Sequence, residues 1–312
     1  MESIPYLSIV SPVYKAEFIV DELVQRVKNE VSQITENFEI ILIEDGSPDN
    51  SWPVIEKNCK NDKRIKGIKL SRNFGQHYAI AAGLNESNGD YVVVMDCDLQ
   101  DNPRYIIDLL NKAKEGFEIV FTVKNYREHN NLRNLSAFWF NKVFNKLIGN
   151  KSLHSHGKIG AYSLITRKVV DSYSKINDYY RPYLTVLQWL GYSNTYLKVM
   201  HDKRHQGKSS YTVFKLISHA TNGIISQTSK LLRLSIYLGF FFALISIIFI
   251  AYIVIKSIES GFQPGWASIA TLVIFFASLI LINLGIIGIY IGKLFEQTKS
   301  RPLYLIEKKI NF

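Results

Sequence analysis

Short apolar runs alternate with helix-period segments through the first part of the chain. Residues 7–10, 38–43, 65–70, 91–95 and 118–123 read as strands. Each is short, rich in β-branched residues and bounded by polar or turn-forming sequence. Between the first two, residues 17–34 carry Val20, Leu23, Val24, Val27 and Val31 at the spacing of one helix face. Residues 76–84 and 103–114 read as further helices. Such βαβα alternation predicts an α/β domain with a mostly parallel sheet covered on both faces. Its strands would end on a common edge, where open α/β sheets bind ligands.

The pattern changes near residue 230. Residues 234–255 contain no charged side chain, and neither do residues 260–292, which Pro264 and Gly265 interrupt near their start. Each run is long enough to cross a bilayer, which takes about 20 residues. The expected layout is therefore a catalytic domain at 1–211 and a juxtamembrane amphipathic helix at 212–233. A transmembrane helix at 234–256, a loop at 257–266, a second transmembrane helix at 267–292 and a tail at 293–312 follow. Residues 213–230 interleave Val213, Phe214, Leu216, Ile217, Ala220, Ile224 and Ile225 with Lys215, His219 and Lys230, as an interfacial helix does.

Charge sets the orientation. Lys230 and Arg233 precede the first span, and Lys293, Lys299, Arg301, Lys308 and Lys309 follow the second, whereas the connecting loop is nearly neutral. The positive-inside bias places the catalytic domain and both termini in the cytoplasm, as part of a multi-pass protein of the cell membrane. Residues 6–10 read as a strand and not as a secretory leader. Two cysteines, Cys59 and Cys97, form no disulfide framework. A net charge of +10 suits an anionic membrane surface and phosphate-bearing substrates. Nucleic acid is not expected as a partner, because the basic residues are scattered and no binding motif accompanies them. Gly285, Gly288 and Gly292 align small residues on the second span and allow a homo-oligomer.

Candidate chemistry gathers at the strand ends. The first strand runs into Ser11-Pro12-Val13-Tyr14, the second into Glu44-Asp45-Gly46-Ser47, the third into Ser71-Arg72-Asn73-Phe74-Gly75. The fourth runs into Asp96-Cys97-Asp98-Leu99-Gln100-Asp101, with Asn102-Pro103 as the start of the next helix. Carboxylates crowded there repel one another unless a cation neutralises them, and oxygen ligands of this kind suit Mg²⁺ or Mn²⁺ shared with substrate phosphates. Tyr14 is placed to stack on a base or ribose, Asp45 to accept base N–H groups and Arg72 to face phosphates. A packing tyrosine, a simple turn and a surface ion pair are the structural alternatives for these three.

These four motifs, in this order and with the C-terminal spans, resemble the family 2 glycosyltransferases of GT-A fold. The likeness is to the branch of dolichyl-phosphate mannose synthase and bacterial polyprenyl-phosphate glycosyltransferases, and it covers essentially the whole chain. It implies a Rossmann-like nucleotide-diphospho-sugar transferase followed by a two-helix transmembrane hairpin. It implies an inverting transfer of one sugar from a nucleotide-sugar to a polyprenyl phosphate such as undecaprenyl phosphate, for cell-envelope glycans. By the resemblance, Pro12, Tyr14 and Asp45 hold the nucleotide, with Arg72 and Asn73 nearby. Asp96 lies by the ribose and diphosphate, and Asp98 and Gln100 engage the divalent ion. Arg204-His205-Gln206-Gly207-Lys208-Ser209-Ser210-Tyr211 resembles the branch's phosphate-binding Arg-x-x-Gly-x-Ser-Lys-Tyr, with Arg204 and Ser209 on phosphate oxygens. Arg181, in an aromatic-rich stretch, is a further phosphate candidate.

Two departures bear on the acceptor. Ser210 stands where the branch has lysine, with Lys208 two positions earlier. Close relatives carry Asp-x-Gly-Asp-Phe-Arg-Leu where this chain reads Lys158-Ile159-Gly160-Ala161-Tyr162-Ser163-Leu164, so the usual general base is missing at Ala161. A hydroxyl acceptor needs such a base. A phosphate monoester, with its second pKa near about 6, already carries a nucleophilic oxyanion at neutral pH. His154 and His156 offer two metal ligands without a third. Two other readings are a processive polysaccharide synthase, for which Gln188-Trp189 lacks the expected arginine, and a non-catalytic GT-A membrane scaffold.

Overall fold

The structure is a computed structural model. It describes residues 5–124, 158–200 and 265–312, with scattered positions between 232 and 255. Eight strands form one sheet: β1 (Leu7–Val13), β2 (Phe38–Glu44), β3 (Ile65–Leu70), β4 (Tyr91–Val94), β5 (Ile119–Lys124), β6 (Lys158–Thr166), β7 (Asn194–Val199) and β8 (Ile306–Ile310). Their order is β7-β5-β6-β4-β1-β2-β3-β8. The four central strands are parallel, with Val13 level with Glu44, Val10 with Val94 and Glu44 with Lys69. The expected common edge is therefore real. The chain moves from β1 through β2 to β3 on one side, then returns to place β4 on the other side of β1. Such a reversal leaves a crevice between the strand ends, the place where doubly wound sheets take ligands.

Every residue of β1 and β2 is buried because helices cover both faces, which is why these strands read as unbroken apolar runs. On one face lie α1 (Val20–Val31), α2 (Ser51–Asn61) and α4 (Tyr105–Lys114). On the other lie α3 (Gln76–Glu86), α5 (Arg167–Ser174) and α6 (Tyr183–Leu190). Helix α1 buries the five apolar residues that its spacing marks. Asp21 and Glu22 stand in its first turn and Lys28 in its last, each sign favourable to the helix dipole.

The mixed part of the sheet was not anticipated. Strand β6 runs antiparallel to both β4 and β5, and β7 runs parallel to β5. Strand β8 belongs to the stretch read as a tail and pairs antiparallel with β3. Lys308 pairs with Glu56, Lys309 with Glu86 at 2.6 Å, and Glu307 with Lys69 at 2.8 Å. The Asn311 amide donates to the carbonyls of Cys59 and Ile65. Three charged residues between two isoleucines thus make a secured edge strand.

Helix α7 (Trp266–Thr298) forms a separate unit with the residues before it. Its segment Phe275–Thr298 is long and apolar enough to cross a membrane. The described positions within 234–256 are helical, but most of that expected span, with the amphipathic segment at 212–233, lies outside the described residues.

At the foot of the sheet, Asp62 takes Lys28 at 2.7 Å and Arg64 at 3.0 Å. Partial burial raises the Asp62 pKa, but the Arg64 and Lys28 contacts outweigh it and hold the carboxyl well below the usual range. A depressed carboxylate contributes stability above its unfolded pKa and loses it as pH falls through the folded value. Asp62→Asn is expected to cost about 1–2 kcal/mol at neutral pH. In denaturant titrations the gap should hold from pH 8 to about 5 and close below about pH 4.

Candidate active site

A cavity of about 410 Å³ opens at the common strand edge, lined by Pro12, Val13, Tyr14, Asp45, Asn73, Gly75, Gln76, Asp96, Cys97 and Asp98. The ends of β1, β2 and β4 and the turn after β3 all reach it, as the shared edge requires. Tyr14, 45% exposed, presents its ring at the mouth with the Lys15 ammonium 5.5 Å from its centroid. Lys15 holds a left-handed backbone, φ 54°, and donates its N–H to Ser47 Oγ at 2.7 Å. Glu17 and Asp49 complete the junction of the two loops: the Glu17 N–H reaches Asp49 at 3.2 Å and the Asn50 N–H reaches Glu17 at 2.9 Å.

Asp45 is 3% exposed, and its two oxygens accept the N–H groups of Phe74 and Gly75 at 2.8 and 2.9 Å. Burial pushes its pKa up, against those two donors, which pull it down. The Asn73 amide donates to the Asp45 carbonyl at 2.9 Å. The carboxylate therefore builds the turn after β3 as well as facing the cavity, and each oxygen has the capacity for one more bond. Next to it, Gly46 sits at φ +59° with no room for a side chain: a Cβ would lie 2.2 Å from the Asn73 nitrogen. Both reasons require glycine.

On the other side of the crevice, the Gln76 amide donates to Asp96 Oδ1 at 2.6 Å. The Gln100 N–H caps Asp98 Oδ1 at 3.1 Å. Leu99 between them is buried in the core and left-handed, φ 58°, a conformation that costs a leucine about 1–2 kcal/mol. Its anchored side chain fixes the tight turn that carries Asp98. Burial pushes the Cys97 thiol up to about 12, so it is a packing group in the cavity wall and not a nucleophile.

Asp96 and Asp98 could hold a divalent cation. No cluster of three or more His, Cys, Asp or Glu residues capable of binding a metal occurs among the described residues. The chemistry of two oxygen donors fits Mg²⁺ or Mn²⁺, which are content with one or two carboxylates if substrate phosphates and water supply the rest. The paired stretch of β4 and β6 ends at Val94 and Ser163, so Ala161 lies in β6 two residues beyond it. Ala161 is not part of the cavity lining.

The other candidates are placed differently. Arg72 stacks on Phe74, 4.6 Å from the ring centroid, and is not part of the cavity lining. Arg181 is 3% exposed, with its guanidinium over Tyr173 and Nη1 on the Ile176 carbonyl at 2.6 Å. It is absent from the cavity lining. Arg204 and Ser209, like His154 and His156, lie outside the described residues. Gln76, Leu99 and Lys15 were not singled out from the sequence, since each owes its place to a turn and not to a motif.

Residues 8–174 match Glycosyl transferase family 2. The chain is a family 2 glycosyltransferase. This glycosyltransferase is 32% identical over 304 residues to the uncharacterized glycosyltransferase YkcC of Bacillus subtilis (strain 168), covering 96% of this chain and 93% of that protein. It is 30% identical over 311 residues to the undecaprenyl-phosphate 4-deoxy-4-formamido-L-arabinose transferase of Shewanella sediminis (strain HAW-EB3), covering 98% and 93%. Glucosyl-3-phosphoglycerate synthase from Mycobacterium tuberculosis, solved with phosphoglyceric acid, superposes with a TM-score of 0.50 at 14% identity, over 72% of this chain and 79% of that one. That likeness concerns the fold.

Gly46→Ala tests the junction in this glycosyltransferase. The substitution is expected to cost about 2–4 kcal/mol. Thermal and denaturant unfolding of the variant beside wild type measure the effect.

Proposed function

We propose that this glycosyltransferase moves one sugar, with inversion, from a nucleotide-sugar donor to a polyprenyl phosphate such as undecaprenyl phosphate. The reaction would occur at the cytoplasmic face of the cell membrane, for synthesis or modification of envelope glycans. The observation that carries this reading is the meeting of Asp45, Asp96 and Asp98 in one cavity at the strand ends, in a chain that has alanine at 161 where close relatives have an acid. A site without a base there favours an acceptor that brings its own charge, and a phosphate monoester does. The name of the Shewanella relative, an undecaprenyl-phosphate sugar transferase, agrees with that chemistry.

In this reading Tyr14 and Asp45 receive the nucleoside, while Pro12 and Asn73 shape the wall behind it. Asp96 faces the ribose and diphosphate. Asp98, with Asp96 and Gln100, holds Mg²⁺ or Mn²⁺, which when bound supplies positive charge to the departing diphosphate. The acceptor oxyanion attacks the anomeric carbon from the face opposite the diphosphate. A new carbon–oxygen bond forms as the old one breaks, and the leaving nucleoside diphosphate takes the electron pair. Arg204 and Ser209 remain the proposed contacts for the acceptor phosphate, with Arg72 near the diphosphate.

Chain order supports the membrane topology. Strand β8 follows α7 in sequence and yet pairs with β3. If α7 crosses a bilayer once, the chain must cross a second time for β3 and β8 to lie on one side. That requirement supports a second span before residue 265, as the uncharged run at 234–255 suggests.

The test is an assay of membranes containing the protein with undecaprenyl phosphate, Mg²⁺ or Mn²⁺, and UDP-, GDP- and dTDP-sugars, read by product mass. One sugar per lipid is expected. No lipid-linked product from any donor defeats the reading, and a ladder of products replaces it with a processive synthase. Asp98→Ala is expected to lower turnover by about a hundredfold or more with the fold retained. Wild-type turnover in that variant rules out its assigned role.

A further inference from the structure

The turn after β3 touches both sides of the cavity. Its Phe74 and Gly75 N–H groups are fixed by Asp45 at 2.8 and 2.9 Å. Its Asn73 amide is fixed by the Asp45 carbonyl at 2.9 Å. One residue on, at the start of α3, Gln76 reaches across to Asp96 at 2.6 Å. Two carboxylates from different strands are therefore joined through four consecutive residues. The helix start is braced from behind, since the Tyr78 hydroxyl donates to the Tyr179 carbonyl at 2.6 Å. The Tyr183 N–H meets the His77 ring at 3.4 Å.

We propose that Gln76 is a positioning residue of the donor site: its amide N–H fixes the Asp96 carboxylate, and the 73–76 turn ties that carboxylate to Asp45. A glutamine suits this task because its amide donates to a carboxylate without adding charge beside a diphosphate. A lysine would also donate, but it would add a cation where the metal is to bind. A hydrogen bond to a charged group is worth about 1.5–3 kcal/mol, so losing this one should cost about tenfold or more in affinity for what Asp96 holds. The inference rests on the donor-site reading above.

The full-length protein in detergent provides the test, with Mn²⁺ and UDP, GDP and dTDP as calorimetric probes. Three substitutions separate hydrogen bonding from shape. Gln76→Met keeps the length and removes the donor. Gln76→Glu keeps the shape and sets a carboxylate against Asp96. Gln76→His restores an N–H of similar reach. For the probe that binds wild type, affinity is expected to fall about tenfold in Gln76→Met and further in Gln76→Glu. Gln76→His should recover to within about threefold of wild type, and Tm should stay within about 2 °C in all three. Affinity unchanged in Gln76→Met or Gln76→Glu, or a Gln76→His variant no better than Gln76→Met, overturns the proposal. Wild type that binds none of the probes overturns the donor-site reading and this inference with it, a result distinct from wild-type binding that ignores residue 76.

Discussion

A buried negative charge at the end of a central strand organises this domain. Asp45 is almost without solvent, and an ionised carboxylate in that position is costly unless polar groups surround it. Here the polar groups are the Phe74 and Gly75 N–H groups, supplied by the turn after the neighbouring strand. That requirement fixes where the turn goes. The turn in turn fixes Gly46, which must be without a side chain for the two loops to touch, and Gln76, which starts α3 within reach of Asp96. A single electrostatic demand at one strand end thus determines the shape of two others.

The parallel centre of the sheet was legible because both its faces are covered. Strands buried on two sides must be apolar throughout, and β1, β2 and β4 announce themselves by that fact. The elements that were missed lack such a signal. Helix α2 buries only Ser51, Ile55 and Cys59, too little for a clear face. Strand β8 exposes Glu307, Lys308 and Lys309 at its centre and resembles a basic tail. Its partners, β3 in the ladder and Glu56 and Glu86 in ion pairs, lie more than 200 positions earlier in the chain, where no local pattern can reveal them. The basic residues that helped to orient the spans are, in part, the stitches of this strand.

The candidate site was legible to the extent that it consists of charges at strand ends. Asp45, Asp96 and Asp98 reach one cavity with Tyr14, Pro12 and Asn73 because a parallel sheet delivers strand ends to one edge. Side-chain direction was not legible. Arg181 lies among aromatic residues in sequence and in space, but its guanidinium is turned inward onto Tyr173 and the Ile176 carbonyl. Stacking over a ring and bonding to a carbonyl can satisfy much of an arginine's demand, so a basic residue in an aromatic stretch need not face a ligand. Leu99 shows the converse case. An apolar residue without chemistry of its own sets the turn that aims Asp98, at the cost of a left-handed backbone.

The edge strand brings the two ends of the argument together. The Ser71 N–H, immediately before Arg72 and Asn73, donates to the Leu305 carbonyl at 2.9 Å. The turn that bridges Asp45 and Asp96 therefore begins at a backbone bond to the segment following α7. On the far side of that segment, the Tyr304 hydroxyl accepts from Asn85 near the end of α3, the helix that Gln76 begins. Residues downstream of the apolar helix consequently frame the start of the turn after β3 and the end of the helix it leads into. The edge strand of the sheet is thus built from chain that follows α7 in sequence.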